Sequence, residues 1–494
     1  MAVKNRPKKE GILAGIEALP HHHKIRDNPG MSDTKTRSTE QLRAWDRQYN
    51  WHPFTQMQEY EPLVIQSAEG CKLTDVDGRE LIDGVSSLWC NVHGHRHPKL
   101  DAAIREQLDK VAHVTSLGLS NPVVIELAKR LVEITPDGLD YAFFSDSGAS
   151  AVEVAVKMAL QYWQQRPDPK PEKKRYISFG QAYHGDTIGM VSLGGMPRFH
   201  EVYGPLLFHP IRLPSPATYP LPEGVAEEQL TQHYLGQLEK VLKEHHEEIA
   251  ALIIEPLVQG AAGMVMQPDG YLSGVRELTK RYDVLMIADE VAVGMGRTGR
   301  MFACENEDVH PDLMCIAKGL TGGYLPVSAT MASRDIYDAF LGSHGESKTF
   351  FHGHTYAGNP LGCAVALASL DLFEEEQTLA NLQPKISRLG EHLARIAQHP
   401  NVGDVRQRGF MAGIELVQSK DGDHTPYPWD LGIGNQVCRK MLDHGVWLRP
   451  LGNVIVIMPP LAISLEELDC ICTGALAAIG DVTRELAPSS RGES

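Results

Sequence analysis

Residues 284–321 bring together the side chains of this chain best suited to covalent chemistry. The run VLMIAD ends in Asp289-Glu290 and passes into a glycine-rich turn; LMCIA, 313–317, then delivers Lys318 directly before the glycines of GLTGG. A third run, ALIIEP at 251–256, places Glu255 at its end. These runs are continuously apolar, as strands buried on both faces are, which predicts a parallel, helix-covered sheet. Acids and a lysine at neighbouring strand ends suit a site at the carboxyl rim, where open α/β sheets take ligands. A lysine with neighbours small enough to admit a planar ring, and an acid for a pyridinium nitrogen, is what pyridoxal phosphate requires. Taken alone, a lysine and an aspartate there also fit a solvated strand end and a helix cap.

The same stretch contains Gly294-x-Gly296-x-x-Gly299, which spells a dinucleotide fingerprint. That fingerprint should lead from strand straight into helix, with an acid about 20 residues on. Here the turn follows an Asp-Glu pair and runs into Arg297 and Arg300, and Gly319 stands where the acid belongs, so the dinucleotide reading is rejected.

The elements that must position these groups follow from the rest of the chain. At 494 residues there is room for two or three domains. Residues 1 to about 40 are polar and basic, with a His21-His22-His23 run that reads as linker rather than metal site, and are expected to be disordered; Met31 is a candidate start. Ser38 opens a capping-box pattern before a short helix. Residues 63–83 read as strands around an Asp77-Gly78 hairpin turn. His93, His95 and His97 lie in a loop without acidic or cysteine partners nearby, so no metal site is expected. Pro98 opens a helix to about His113, and Asn121-Pro122 caps and starts another to about Ile134. YAFFSD is a strand, and Ser147-Gly148-Ala149 begins a long helix whose apolar positions keep the 3.6-residue period. Small residues at such an N-terminus leave backbone N–H groups aimed at an anion. Beyond about 398 the pattern becomes a separate α+β region in which Arg449 ends a strand. The expected division is 1–40 as an extension, 41–97 and 366–494 as a small domain built from both chain ends, and 98–365 as the large cofactor-binding domain.

Composition excludes several classes. The net charge, 47 basic against 63 acidic residues, is −16, which disfavours nucleic acid and anionic membranes. No apolar run approaches the roughly 18 residues of a membrane span, and the N-terminus lacks a signal core. The eight cysteines form no CxxC pair, so neither a zinc ribbon nor a disulfide framework is indicated. A cytoplasmic protein is expected.

In order, the segments SGA, YHGD, EP, DEV–GxGRTG, AKGLTGG and HTYAGNP resemble the class III (ω-) aminotransferases of PLP fold type I, over roughly residues 45–485. The resemblance implies an α/β fold with a central, mostly parallel sheet covered by helices, plus a smaller α+β domain. It implies pyridoxal 5′-phosphate as cofactor, with Lys318 attaching it covalently and then shuttling the substrate proton. Asp289 would hold the pyridine nitrogen protonated, Tyr183 would stack on the ring and Val291 would pack on its other face. Ser147, Gly148 and Ala149 would cradle the phosphate, joined by Thr355 from the second subunit of a homodimer whose site is shared across the interface. Glu255 and His354 complete the expected cofactor contacts, and Asp186 shapes the pocket.

Within the family, WHPFTQM, LIDGVSSLW and RPLGN…MPP are similar to the branch that makes 7,8-diaminononanoate for biotin. That implies Arg449 on the substrate carboxylate, bidentately, with Phe54, Leu88, Trp89 and Gly353 lining the substrate channel. The implied partners are a small-molecule amino donor and the keto acceptor 8-amino-7-oxononanoate. The donor is S-adenosylmethionine or L-lysine: Phe54 replaces a tyrosine, Leu88-Trp89 replaces a double tryptophan, and Val456 replaces another tyrosine found in the S-adenosylmethionine-using enzymes, which leans slightly towards L-lysine. The alternatives are a broad ω-amine:pyruvate transaminase and a non-catalytic cofactor-binding protein.

Overall fold

A computed structural model describes residues 37–421 and 424–486. The triple histidine and Met31 lie outside the described residues. Two compact units divide after Val64. In the first, the helix Thr39–Tyr49 is capped by Ser38, whose hydroxyl accepts the Gln41 amide at 3.2 Å. After it the chain is gathered around Asp46, which accepts from Asn50 at 2.9 Å and from the Tyr60 hydroxyl at 3.0 Å. Phe54 is exposed there, in left-handed backbone with φ 50°.

The second unit is organised around a seven-stranded sheet. Its strands are β1 (Leu139–Ser145), β2 (Arg175–Phe179), β3 (Ile211–Leu213), β4 (Ile249–Ile254), β5 (Leu285–Asp289), β6 (Leu313–Ile316) and β7 (Ser328–Ser333). Their order is β1-β7-β6-β5-β4-β2-β3. Strands β3, β2, β4, β5 and β6 pair in parallel, whereas β7 is antiparallel to both neighbours. Every residue of β4, β5 and β6 is buried, in keeping with their unbroken apolar sequences. The parallel strands therefore end on one rim, and the reversed β7 brings its amino end, preceded by residues 323–327, to that same rim.

The helix Gly148–Gln165 leaves β1 and packs along the sheet, burying Ala151, Val152, Ala155 and Ala159. Its first turn is tied down by Ser328 Oγ donating to the Ser147 carbonyl at 2.7 Å and Thr330 Oγ1 donating to the Ala151 carbonyl at 2.7 Å. The strands Ile65–Glu69, Lys72–Asp75 and Glu80–Asp83 form a meander, with Gly78 at φ 81° in its Asp77-Gly78 turn. Val446–Trp447 joins this meander in parallel beside Ile82 and Asp83, so chain from both ends of the unit shares a sheet. The expected helix after Pro98 stops at Leu108 rather than His113. Gln107 ends it: its carbonyl accepts both the Lys110 and Val111 amides, and its side-chain nitrogen donates to the Val111 carbonyl at 2.9 Å. No helix among the described residues is long and apolar enough to cross a membrane.

Candidate active site

A cavity of about 760 Å³ opens at the rim. Its lining includes Ser147, Gly148, Ala149, Tyr183, Glu255, Asp289, Val291, Lys318 and Trp89, residues drawn from six separate stretches of sequence. The strands explain the convergence: Ser147 follows β1, Tyr183 follows β2, Glu255 follows β4, Asp289 ends β5 and Lys318 follows β6.

Asp289 is 4% exposed and held on both oxygens. Oδ1 accepts the Val291 amide at 3.1 Å, and Oδ2 lies 2.7 Å from His184 Nδ1. A carboxylate only accepts, so Nδ1 carries the proton and donates. His184 Nε2 is buried with no partner among the described residues. The Asp-Glu pair divides its labour, because Glu290 turns away from the cavity and accepts the Ala303 and Cys304 amides at 2.9 and 2.8 Å. Burial pushes the Glu290 carboxyl up to about 7.

Glu255 accepts the Tyr183 amide at 3.1 Å and the Gly260 amide at 3.0 Å. Burial raises its pKa to about 7, with Asp289 adding to the rise and His184 opposing it. The Tyr183 hydroxyl donates to Asp186 at 2.8 Å, which fixes the ring; burial and that carboxylate together push the phenol well above its usual range. Lys318 stands in left-handed backbone, φ 41°, at the start of the turn Lys318–Thr321. Its amine lies 5.6 Å from the Trp89 ring centroid and has no hydrogen bond or ion pair among the described residues. Burial lowers its pKa, against the pull of Asp289 and Glu255, which enlarges the fraction present as free amine.

These residues fit pyridoxal phosphate. The first amides of an 18-residue helix have no intrahelical acceptor and face the cavity at Gly148 and Ala149. A side chain at Gly148 is excluded, since a Cβ there would sit 2.6 Å from Val291 Cγ1. A buried carboxylate, a lysine amine without hydrogen bond or ion pair and the free end of a long helix thus share one cavity. Among the described residues no cluster of His, Cys, Asp and Glu could hold a metal. The alternating histidines are spoken for: His93 contacts Ser369 and His95 contacts Asp83, while His97 caps the helix after it.

Other expected site residues stand outside the cavity lining. Arg449 lies between the strands Val446–Trp447 and Pro450–Leu451 rather than at a strand end. It is half-buried and without an ion pair or hydrogen bond among the described residues. Burial lowers its pKa. Leu88 is 39% exposed beside Trp89. Gly353, His354 and Thr355 are exposed on the loop before the helix Pro360–Glu375, and His354 Nδ1 reaches Asp146 of the cavity wall at 3.1 Å. Phe54 belongs to the first unit. Sequence reasoning missed the His184–Asp289 contact and the wall formed by Cys90 and residues 323–327. The reversed direction of β7 brings residues 323–327 to the rim, and nothing local signals it.

A family model, Aminotransferase class-III, matches residues 55–479. The adenosylmethionine-8-amino-7-oxononanoate aminotransferase of Geobacter sulfurreducens is 53% identical over 449 residues, 90% of this chain and 98% of that protein. The crystal structure of the like-named enzyme from Methanocaldococcus jannaschii superposes with a TM-score of 0.85 at 44% identity, covering 90% of this chain and 99% of that one. A thermostable (S)-enantioselective omega-transaminase from Thermomicrobium roseum superposes with a TM-score of 0.86 at 36% identity, covering 91% and 100%.

Proposed function

The chain belongs to the class-III aminotransferases, and on that footing we propose that it transfers an amino group to 8-amino-7-oxononanoate, forming the 7,8-diaminononanoate of biotin biosynthesis. The enzyme is a pyridoxal-phosphate-dependent transaminase. When bound, the cofactor supplies an electron-withdrawing ring and a carbon that carries the amino group between two substrates. The protein's residues do the rest. Lys318, whose amine burial makes easier to deprotonate, would take the proton from the donor's carbon and return one to the acceptor's. Asp289, oriented by His184 and the Val291 amide, holds a proton on the ring nitrogen. Tyr183, locked by Asp186, and Val291 would confine the ring, and the amides of Gly148 and Ala149 would receive the phosphate.

One observation carries the acceptor: Arg449 is a half-buried guanidinium without a partner among the described residues. Such a group awaits an anion, and the acid end of a nine-carbon amino-keto acid provides one. Arg449→Ala should raise KM for 8-amino-7-oxononanoate about 10- to 150-fold, the equivalent of roughly 1.5–3 kcal/mol for charge-assisted bonds. It should leave the cofactor's bound spectrum unchanged. Steady-state kinetics with acceptor titration checks this, and an unchanged KM would remove Arg449 from the substrate site.

The names of the relatives point to S-adenosylmethionine as amino donor, whereas Phe54 and the single Trp89 favour L-lysine. Watching the bound cofactor's absorbance with each donor alone decides between them. A second reading, a broad ω-amine:pyruvate transaminase, draws on the 36% identical omega-transaminase fold. Turnover of pyruvate without turnover of 8-amino-7-oxononanoate would establish it instead.

The active form is proposed to be a cytoplasmic homodimer, with Thr355 of each chain completing the other's phosphate site. Leu117, Leu119, Phe351 and Tyr356 are all exposed, and the Gly353 and Leu117 segments meet, a Cβ at Gly353 falling 3.3 Å from Leu117 Cδ2. An apolar surface of this kind marks a protein interface. A fully active monomer in analytical ultracentrifugation would overturn that arrangement.

A further inference from the structure

Ser86, Ser87, Leu88 and Trp89 have φ of 47, 41, 66 and 72° in succession. They form a left-handed turn with no glycine in it, a backbone that L-residues adopt only when their surroundings over-determine it. The surroundings here are specific. Asp83, fully buried at the end of the strand Glu80–Asp83, uses Oδ2 to accept the Ser87 amide at 2.7 Å, the Ser87 hydroxyl at 2.8 Å and His95 Nε2 at 3.0 Å. The histidine's proton can be placed. Asn91 Oδ1 accepts the Gly94 amide at 2.8 Å, so the Asn91 amide nitrogen faces His95 Nδ1 at 3.3 Å and donates to it. Nε2 is then the donor to Asp83.

On the other side, Ser86 Oγ donates to the Met458 carbonyl at 2.8 Å and accepts from Arg297 at 2.8 Å. The Arg297 guanidinium, 1% exposed, also donates to the carbonyls of Asn91 at 2.8 Å and Pro459 at 2.6 Å. Among the described residues no carboxylate pairs with it, and every acceptor it has belongs to this turn, the loop after it or the segment behind it.

The turn delivers Trp89. The indole forms a wall of the cavity, with the Lys318 amine 5.6 Å from its centroid. Its far edge lies over Gly260, where a Cβ would stand 3.5 Å from Trp89 Cζ3. Right-handed backbone at 86–89 would sever the Asp83–Ser87 bonds and carry the indole off the lysine.

We propose that Asp83 is a positioning residue for substrate selection: through the left-handed turn it fixes where the Trp89 indole stands, and so the shape offered to substrate beyond the reacting carbon. It touches neither the cavity nor the reacting atoms. The inference rests on the transaminase reading, and the experiment keeps the two apart. In Asp83→Ala holoenzyme the bound-cofactor spectrum should match the parent's, KM for 8-amino-7-oxononanoate should rise at least tenfold, and kcat should stay within threefold. An unchanged KM, or a fall in kcat alone, would overturn the proposal. Should Asp83→Ala fail to fold, Asp83→Ser, which keeps a polar group but withdraws the oxygen that Ser87 and His95 share, carries the test; a KM rise of at least threefold is expected, and parental KM overturns it. Should the parent itself fail to aminate that ketone, the functional reading falls, and the crystal structure of the Asp83 variant decides this one. Residues 86–89 should leave the left-handed region, and a turn still left-handed with Trp89 in place would refute it.

Discussion

Lys318→Ala should lose amino-group transfer by about 10⁴-fold or more while folding normally. Positioned proton transfer alone contributes roughly 10²–10⁴-fold, and the substitution also removes the covalent anchor of the cofactor. The fold should tolerate it, because the amine has no hydrogen bond or ion pair among the described residues and its removal orphans no buried partner. Stability should therefore stay close to the parent, which distinguishes lost chemistry from lost structure. The measurement is single-turnover conversion of donor by the variant loaded with excess cofactor, beside its thermal midpoint. Exogenous methylamine should restore part of the rate, since it supplies the missing amine without the missing anchor. A variant within tenfold of the parent would show that another group moves the proton.

Asp289→Asn should follow closely, costing about a thousandfold in kcat. A carboxylate some 4 Å from a positive ring nitrogen, at an effective dielectric of about 20, contributes roughly 4 kcal/mol, and about 1.4 kcal/mol is a factor of ten. The neutral amide preserves size and can still accept the Val291 amide, now 3.1 Å from Oδ1. It cannot hold the ring nitrogen charged. With its single oxygen on Val291, the amide turns its NH2 towards His184 Nδ1, 2.7 Å from the present carboxylate, so the histidine loses its acceptor there. Both half-reactions should slow together, because the electron demand on the ring is common to them, in contrast to Arg449→Ala, whose effect should fall on the carboxylate-bearing substrate. Stopped-flow measurement of each half-reaction separates these outcomes; a selective effect of Asp289→Asn on one substrate would assign it to binding rather than to the ring.

Much of the scaffold was legible because strands buried on both faces must be apolar throughout. ALIIEP, VLMIAD and LMCIA declare themselves as such, and their terminal groups Glu255, Asp289 and Lys318 do line one cavity. Helix starts were legible where a side chain caps them: Asn121 accepts the Val124 amide at 3.2 Å, and the helix Pro122–Ile134 begins and ends as its sequence suggests. Features set by particular contacts were not. The helix after Pro98 ends early where one glutamine side chain takes a carbonyl three residues beyond the helix end, a local contact that apolar periodicity cannot register. The left-handed turn at 86–89 contains no residue that favours it. Beside the nearby Asp83, its partners lie 211 residues away at Arg297 and 372 away at Met458, so local propensity reads it as ordinary loop. Arg449 was expected at a strand end, but its place between two short strands depends on sheet pairings that are themselves long-range.

The most direct measurement is chemical. The holoenzyme is reduced with borohydride, digested, and the peptide carrying the cofactor is sequenced by mass spectrometry. The expected result is a single modified site at Lys318, lost when the enzyme is first converted by excess amino donor. Modification at a different lysine, or a Lys318 peptide that stays unmodified in catalytically active protein, would contradict the assignment of this cavity as the site of amino-group transfer.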